Sequence, residues 1–243
     1  MKFEEFMRRH GVISLSETPD NLLMWSHYAK DHKGISVEFN IDLQAPFSLF
    51  NIPYLHTASD MRFGKVNYRK EREYPSAFNS SEVSVVAEHY YLTKSEEWSY
   101  EKEHRFIVPF TMANKILVDL NAPKAMITLS DLGINVTQTS KEGIIDVTTQ
   151  LLLPDYERLA CAFAHSHENG FMFLICLDER NISKLFLGVN LDVSGFRDLI
   201  DNAYEGSPYV SYRSINGEYS GVYKGVVHDS RFEIVFELLQ KNG

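Results

Sequence analysis

Residues Ser14–Asn40 read SLSETPDNLLMWSHYAKDHKGISVEFN, and this stretch decides the local architecture. Gly11–Ser16 supplies a short strand. Glu17-Thr18-Pro19-Asp20 ends it, because Pro19 has a fixed φ and no amide hydrogen to give to a ladder. A helix is expected next, with Asp20 as its N-cap and Leu22, Leu23, Trp25, Ser26 and Ala29 on one face over about two turns. Gly34 closes the irregular segment behind it. Ile35, Val37 and Phe39 then alternate with Ser36, Glu38 and Asn40, the period of a strand with one buried face.

Outward from there, residues 46–62 read as a loop and Gly64–Arg69 as a strand with Val66 and Tyr68 on one side. Ser80 or Ser81 is expected to cap a helix over Glu82–Leu92, gathering Val85, Val86, His89, Tyr90 and Leu92. A short helix through Glu96, Glu97 and Trp98 leads to a strand, Arg105–Val108, closed by Pro109. Ile127–Leu132 and Ile144–Val147 are strand candidates inside residues 112–170, which read as an insertion or subdomain. Gly170–Leu177, GFMFLICL, is the most apolar run and is expected as a strand covered on both faces. Lys184–Gly188 adds a strand, Ser194–Tyr204 a capped helix ending near Gly206, and Val222–Val227 with Phe232–Leu238 a closing strand pair. With no repeat, low-complexity tract or linker, the expectation is one α+β domain over residues 1–243, with mixed, mostly antiparallel sheet and a few packed helices.

Composition narrows the function classes. Of 243 residues, 44% are hydrophobic and 13% aromatic, enough for a packed core and too much for a solvated chain. The net charge of −9 repels a phosphate backbone unless basic residues gather in one patch, so nonspecific nucleic-acid binding is disfavoured. The densest basic stretch, with Lys65, Arg69, Lys70 and Arg72, is interrupted by Glu71 and Glu73 and reads as a solvated face. Two cysteines, Cys161 and Cys176, in no C-x-x-C pair, point away from a disulfide scaffold and are expected as small buried hydrophobes. Met1–His10 lacks the apolar core of a signal peptide, and no run approaches the ~18 apolar residues that span a bilayer, so a cytoplasmic location without membrane contact is expected.

The Ser14–Asn40 string resembles the central signature of the bacterial family known as domain of unknown function 2971. W-S-Y-E-K-E-H-R-F-I at Trp98–Ile107 resembles that family's W-x-x-E-x-E-x-R segment, L-F-L-G at Leu185–Gly188 its late strand-and-glycine element, and the terminal G-V-Y-K-G-V-V and F-E-I-V-F its closing strands. The family's upstream segments, a strand with tyrosine and arginine and an F-N-D-P turn, have no counterpart before this chain's first residues. Nor does Met112–Gly170, so the expectation is a trimmed N-terminus or a missing functional piece.

Glu101 and Glu103 are the residues with the strongest chemical suggestion. On an extended backbone residues two apart share a face, and Arg105 would join them. Two such carboxylates raise one another's pKa while the arginine opposes the shift, a tuning found in catalytic sites and also in plain salt-bridge rows. E-x-E opening a strand also resembles the catalytic element of the ADP-ribosyltransferase superfamily. That resemblance implies NAD as substrate, Glu103 holding the ribose 2′-hydroxyl and favouring the cationic sugar transition state, and Glu101 positioning or activating the acceptor. Ser14 and Ser16 resemble that superfamily's serine-bearing strand.

Trp25, His27 and Tyr28, with Ser14, Ser16 and Arg105, complete the expected substrate-binding set. The plainer readings are core packing for Trp25 and Tyr28 and a hydrogen-bonded, partly buried corner residue for His27. His32 lies about 140° around a helix from His27, so the two do not form a metal pair. His165 and His167 have chelating spacing for a strand but no third ligand, and no metal is expected. No resident cofactor is expected either. Two functional classes therefore stand side by side: an NAD-consuming ADP-ribosyltransferase-like enzyme, and a non-catalytic binding or regulatory module of a defence- or toxin-associated kind, with a small-molecule ligand or a protein as partner. A hydrolase using His27 and Glu103 is a third.

Overall fold

The computed structural model describes residues 3–51, 61–71, 83–136, 143–151, 156–194, 214–215, 218–219, 221–231 and 233–239. In chain order the elements are α1 (Phe3–Met7), β1 (His10–Ser16), α2 (Leu22–Tyr28), β2 (Ile35–Phe39), β3 (Arg62–Lys65), β4 (Asn67–Arg69), α3 (Val83–Tyr91), β5 (Thr93–Ser95) and β6 (Glu103–Pro109). They continue with β7 (Lys115–Asp119), α4 (Ala125–Asp131), β8 (Ile144–Asp146), α5 (Tyr156–Ala164), α6 (Ser166–Asn169), β9 (Phe171–Leu174), β10 (Ile182–Leu187), β11 (Ser214–Ile215), β12 (Glu218–Tyr219), β13 (Gly221–Val227) and β14 (Ile234–Leu238). The fold class is α+β, and most strand pairs are antiparallel.

The chain divides into two compact units. The first comprises Met1–Leu15, Phe50–Ser95 and His104–Cys176; the second comprises Ser16–Leu49, Glu96–Glu103 and Leu177–Gly243.

In the first unit, β6 is central in the order β1-β6-β3, and Phe63 faces Phe106 across the antiparallel register. Phe106 and Ile107 are fully buried, as the apolar run closed by Pro109 requires. A second sheet has the order β8-β7-β9, with Val118 opposite both Ile145 and Phe171. Its core gathers Val118, Ala125, Leu129, Val147, Leu159 and Phe171, drawing α4 and α5 onto the sheet. Gly170 ends α6 with φ 73, and a Cβ there would lie 2.5 Å from the Asp119 carbonyl oxygen, so glycine is required by both conformation and space.

Several sequence expectations are corrected in this unit. Ala125–Asp131 is helix α4, so Ile127–Leu132 is not a strand; Ala125 and Leu129, four apart, bury one helical side. Among the described residues β9 is the edge of its sheet, and Leu174 and Leu177 are exposed, so the GFMFLICL run is not covered on both faces. Around α3 Val86 and Leu92 are buried as expected, but Val85 and Tyr90 face out, and Ala87 and Tyr91 are buried in their place, Ala87 packing with Phe6 and Ile107. Gly64–Arg69 is two strands, β3 and β4, separated by buried Val66. Cys161 and Cys176 are both exposed. His165 precedes α6 and His167 lies on it, so strand-type chelation does not apply.

The second unit is built on the sheet β14-β13-β10-β2, in which β10 runs parallel to β13 and antiparallel to β2. The closing pair β13–β14 is antiparallel, as expected. Trp25 of α2, 4% exposed, packs with Phe186, Ile234 and Phe236 over this sheet. The alternation expected for β2 is blurred: Ile35 is exposed, and the other four residues are all half-buried. The expected caps at Ser80 or Ser81, the turn at Gly206 and nearly all of the Ser194–Tyr204 helix lie outside the described residues.

Candidate functional site

Asn21, not Asp20, caps α2: its Oδ1 accepts from the backbone N–H of Leu23 and Met24. The Asn21 amide also donates to the Tyr100 carbonyl at 2.9 Å, tying the start of α2 to the 3-10 turn Glu96–Glu101. Trp25 Nε1 donates to the Pro19 carbonyl, so the turn before the helix is held by the side chain that anchors its core. Seven residues of helix then carry His27 and Tyr28 to its exposed end.

The backbone around the two glutamates departs from a strand. Glu101 ends the 3-10 turn, Lys102 takes a left-handed φ of 46, and Glu103 opens β6. The extended geometry expected to align the carboxylates is therefore absent. A left-handed lysine costs on the order of 1 kcal/mol, and two bonds hold the segment there: Ser16 Oγ donates to the Glu101 carbonyl at 2.8 Å and the Glu17 N–H to the Lys102 carbonyl at 3.2 Å. Both side chains are sequestered, Glu101 at 1% exposure and Glu103 at 8%.

Tyr28 meets the buried carboxylate directly. Its phenol donates to Glu101 Oε1 at 2.8 Å, and this bond is the first cause of a hydroxyl pKa pushed up from 10.0 to about 12; burial, then the charges of Glu101 and Glu103 act the same way. Tyr28 as a whole residue is 63% exposed. His27 is exposed rather than partly buried, and its imidazole lies 6.3 Å from the Tyr28 ring, 6.5 Å from Trp98 and 6.5 Å from Tyr100. Trp98 and Tyr100 are 6.0 Å apart. The second unit thus presents four aromatic rings beside two buried carboxylates.

Of the expected site residues, Ser16, His27, Tyr28 and Glu101 converge here by direct bonds or ring contacts, with Glu103 close enough to act on Tyr28. Trp25 is core. Ser14 and Arg105 belong to the first unit: Ser14 is exposed on β1, and Arg105 Nη1 donates to the Tyr91 carbonyl. The sequence reading missed Asn21, Trp98 and Tyr100. An asparagine immediately before an apolar helical stripe is a cap signal and was available; nothing local marked the two rings of the 3-10 turn as partners of α2.

Among the described residues, no group of three or more His, Cys, Asp and Glu side chains is placed to hold a metal ion, and no helix is long and apolar enough to cross a membrane.

No curated protein and no solved structure matches the chain. Residues 24–106, about a third of its length, match the model of a family described as protein of unknown function (DUF2971). The match runs from Met24 on α2 to Phe106 on β6, enclosing His27, Tyr28, Trp98, Tyr100, Glu101 and Glu103. The segment that carries the aromatic and acidic cluster is thus similar to the DUF2971 family, the one its sequence motifs resemble.

Proposed function

We propose that the second unit is an NAD-directed glycosyl-transfer module of ADP-ribosyltransferase type, with Glu103 as the group that stabilises the ribosyl cation. The observation carrying this reading is the meeting of four aromatic rings with two buried carboxylates. The nicotinamide of NAD is a planar cation. Stacking on Tyr28, Trp98 and Tyr100 is worth about 0.5–2 kcal/mol per favourable cation–ring contact, and the nearby negative charge adds to it.

In the step itself the bond from ribose C1′ to the nicotinamide nitrogen breaks, and nicotinamide leaves with the electron pair. Positive charge develops on C1′ and the ring oxygen, where a carboxylate bonded to the 2′-hydroxyl lowers the barrier by preorganised electrostatics. The acceptor's lone pair then forms the new bond at C1′ and its proton passes to water. Glu101, occupied by Tyr28, serves as a positioning residue that fixes one ring of the platform.

The second reading, a non-catalytic binding module, is favoured by that same closed Tyr28–Glu101 bond. Incubation of the purified chain with NAD, with protein and nucleic-acid acceptors supplied, separates the two. Release of nicotinamide that disappears in Glu103→Gln, with an unchanged melting temperature, supports the transferase. Absence of release from the native chain across acceptors removes it. Losses above about 2 kcal/mol in both Glu103→Ala and His27→Ala would make these residues structural.

A further inference from the structure

The last turn of α2 carries His27 and Tyr28, and burial does not hold it, since Ser26, His27 and Tyr28 are all exposed. The core contact of the helix comes earlier, at Trp25, and its cap earlier still, at Asn21. A helix of seven residues has little stability of its own, so the place of its end depends on what is tied to it. The ties come from the turn that follows. His32 N–H donates to the Trp25 carbonyl, and the N–H groups of Lys33 and Gly34 both donate to the Ala29 carbonyl. Within that turn Lys30, Asp31 and His32 hold left-handed φ in succession, a conformation that L-residues keep only where their surroundings impose it.

The loop after β10 supplies those surroundings. Gly188 N–H donates to the Gly34 carbonyl at 3.0 Å, Asn190 N–H to the His32 carbonyl at 2.9 Å, and Asn190 Nδ2 to the Asp31 carbonyl at 3.1 Å. One side chain gathers the loop in turn: Lys224 of β13 donates through Nζ to the carbonyls of Gly188, Val189 and Leu191. An ammonium has three N–H donors, so this triad uses its whole capacity, and a charged donor makes each bond stronger than a neutral one would. All of these residues belong to the second unit.

We infer that Lys224 is a positioning residue for the candidate site: through loop 188–191 and the left-handed turn it holds the end of α2 where the Tyr28 phenol reaches Glu101. The path is continuous in hydrogen bonds from Nζ to the loop, from the loop to Asp31, His32 and Gly34, and from the turn to the carbonyls of Trp25 and Ala29. Tyr28 lies between those two carbonyls in sequence and makes the last bond, to Glu101. Removal of the ammonium frees the loop, the left-handed residues lose what imposes them, and the Tyr28–Glu101 bond opens. This role concerns the geometry of the site and does not depend on NAD as its ligand.

Nuclear magnetic resonance of the full chain, with its tyrosines isotope-labelled at Cζ, reads the far end of this path. The Tyr28 signal is the one lost in Tyr28→Phe. In the native chain its ionisation midpoint is expected near 12, held above 10.0 first by the bond to Glu101. In Lys224→Met the midpoint should fall towards 10.0. Asn190→Ala deletes only the side-chain link to Asp31, from an exposed residue, and should move the midpoint the same way by less. In urea unfolding, the factor by which Tyr28→Phe changes the equilibrium constant should shrink about fivefold in the Lys224→Met background, because the bond it removes is already open. An unchanged Tyr28 midpoint in both variants, with faster hydrogen exchange confined to residues 188–191, restricts Lys224 to its own loop and overturns the inference. Strict additivity of Lys224→Met and Tyr28→Phe overturns it as well.

Discussion

The phenol of Tyr28 donates a 2.8 Å hydrogen bond to Oε1 of Glu101, joining the exposed end of α2 to a carboxylate that is 1% exposed and 73 residues away. A carboxylate this deeply placed depends on its donors, since a buried charge without them carries a desolvation penalty. Tyr28→Phe is therefore expected to destabilise the protein by about 1–3 kcal/mol, and Glu101→Gln by a similar amount. Because the two share one bond, the double variant should cost less than the sum. A double-mutant cycle from urea unfolding measures this, and a coupling energy near zero contradicts the account.

The same bond predicts an alkaline limit. Tyr28 and Tyr91 are both pushed up to about 12 from 10.0, the first chiefly by its bond to Glu101, the second by burial. A raised acid keeps its proton in the folded state where the unfolded chain has lost it. The linked stability is whole below about pH 10 and disappears as pH rises towards about 12. Urea midpoints should fall across that window, and fall less steeply in Tyr28→Phe.

At the turn after α2, Lys30, Asp31 and His32 all have left-handed φ, 49, 54 and 62. The turn is fixed by Gly188 N–H on the Gly34 carbonyl and Asn190 N–H on the His32 carbonyl. A Cβ at Gly188 would lie 2.1 Å from the His32 carbonyl oxygen. Gly188→Ala is expected to cost more than about 2 kcal/mol, a displacement of backbone rather than of a flexible side chain. His32→Gly should act in the opposite direction, by a few tenths to about 1 kcal/mol, because it removes left-handed strain at the cost of a freer unfolded chain. Thermal denaturation of both variants reads the two signs.

Lys224 donates through Nζ to the carbonyls of Gly188, Val189 and Leu191. Lys224→Met keeps much of the apolar stem and deletes all three donors, so a loss of about 1–3 kcal/mol is expected. Hydrogen exchange should then show faster opening at residues 188–191, and unchanged protection there would contradict the prediction.

Cys161 and Cys176 are both exposed. Each should react with a small disulfide reagent in the native chain without denaturant, giving two equivalents; a thiol that reacts only after unfolding would contradict its placement.

How far the sequence carries can be seen at individual residues. Strand β1, helix α2, strand β2 and the closing pair β13–β14 were legible because each rests on short-range signals: Pro19 as a stop, apolar spacing around Trp25, and alternation along the final strands. α4 was misread because Ile127 and Leu132 look apolar in sequence, whereas it is Ala125 and Leu129 that meet the core. The buried face of α3 differs for the same reason, since Ala87 is buried in a cluster with Phe6 and Ile107, both distant in sequence.

At the candidate site the division is sharper. The sequence alone determined that two glutamates lie two residues apart before an apolar strand, that a serine strand precedes them, and that a Trp-Ser-His-Tyr helix end lies between. It could not determine that both carboxylates are buried, that Lys102 is left-handed, or that Trp98 and Tyr100 join His27 and Tyr28. Those features rest on Ser16 and Tyr28 reaching Glu101 across 85 and 73 residues. Burial of a charge is set by every group that surrounds it, and the order of residues along the chain fixes only the nearest few.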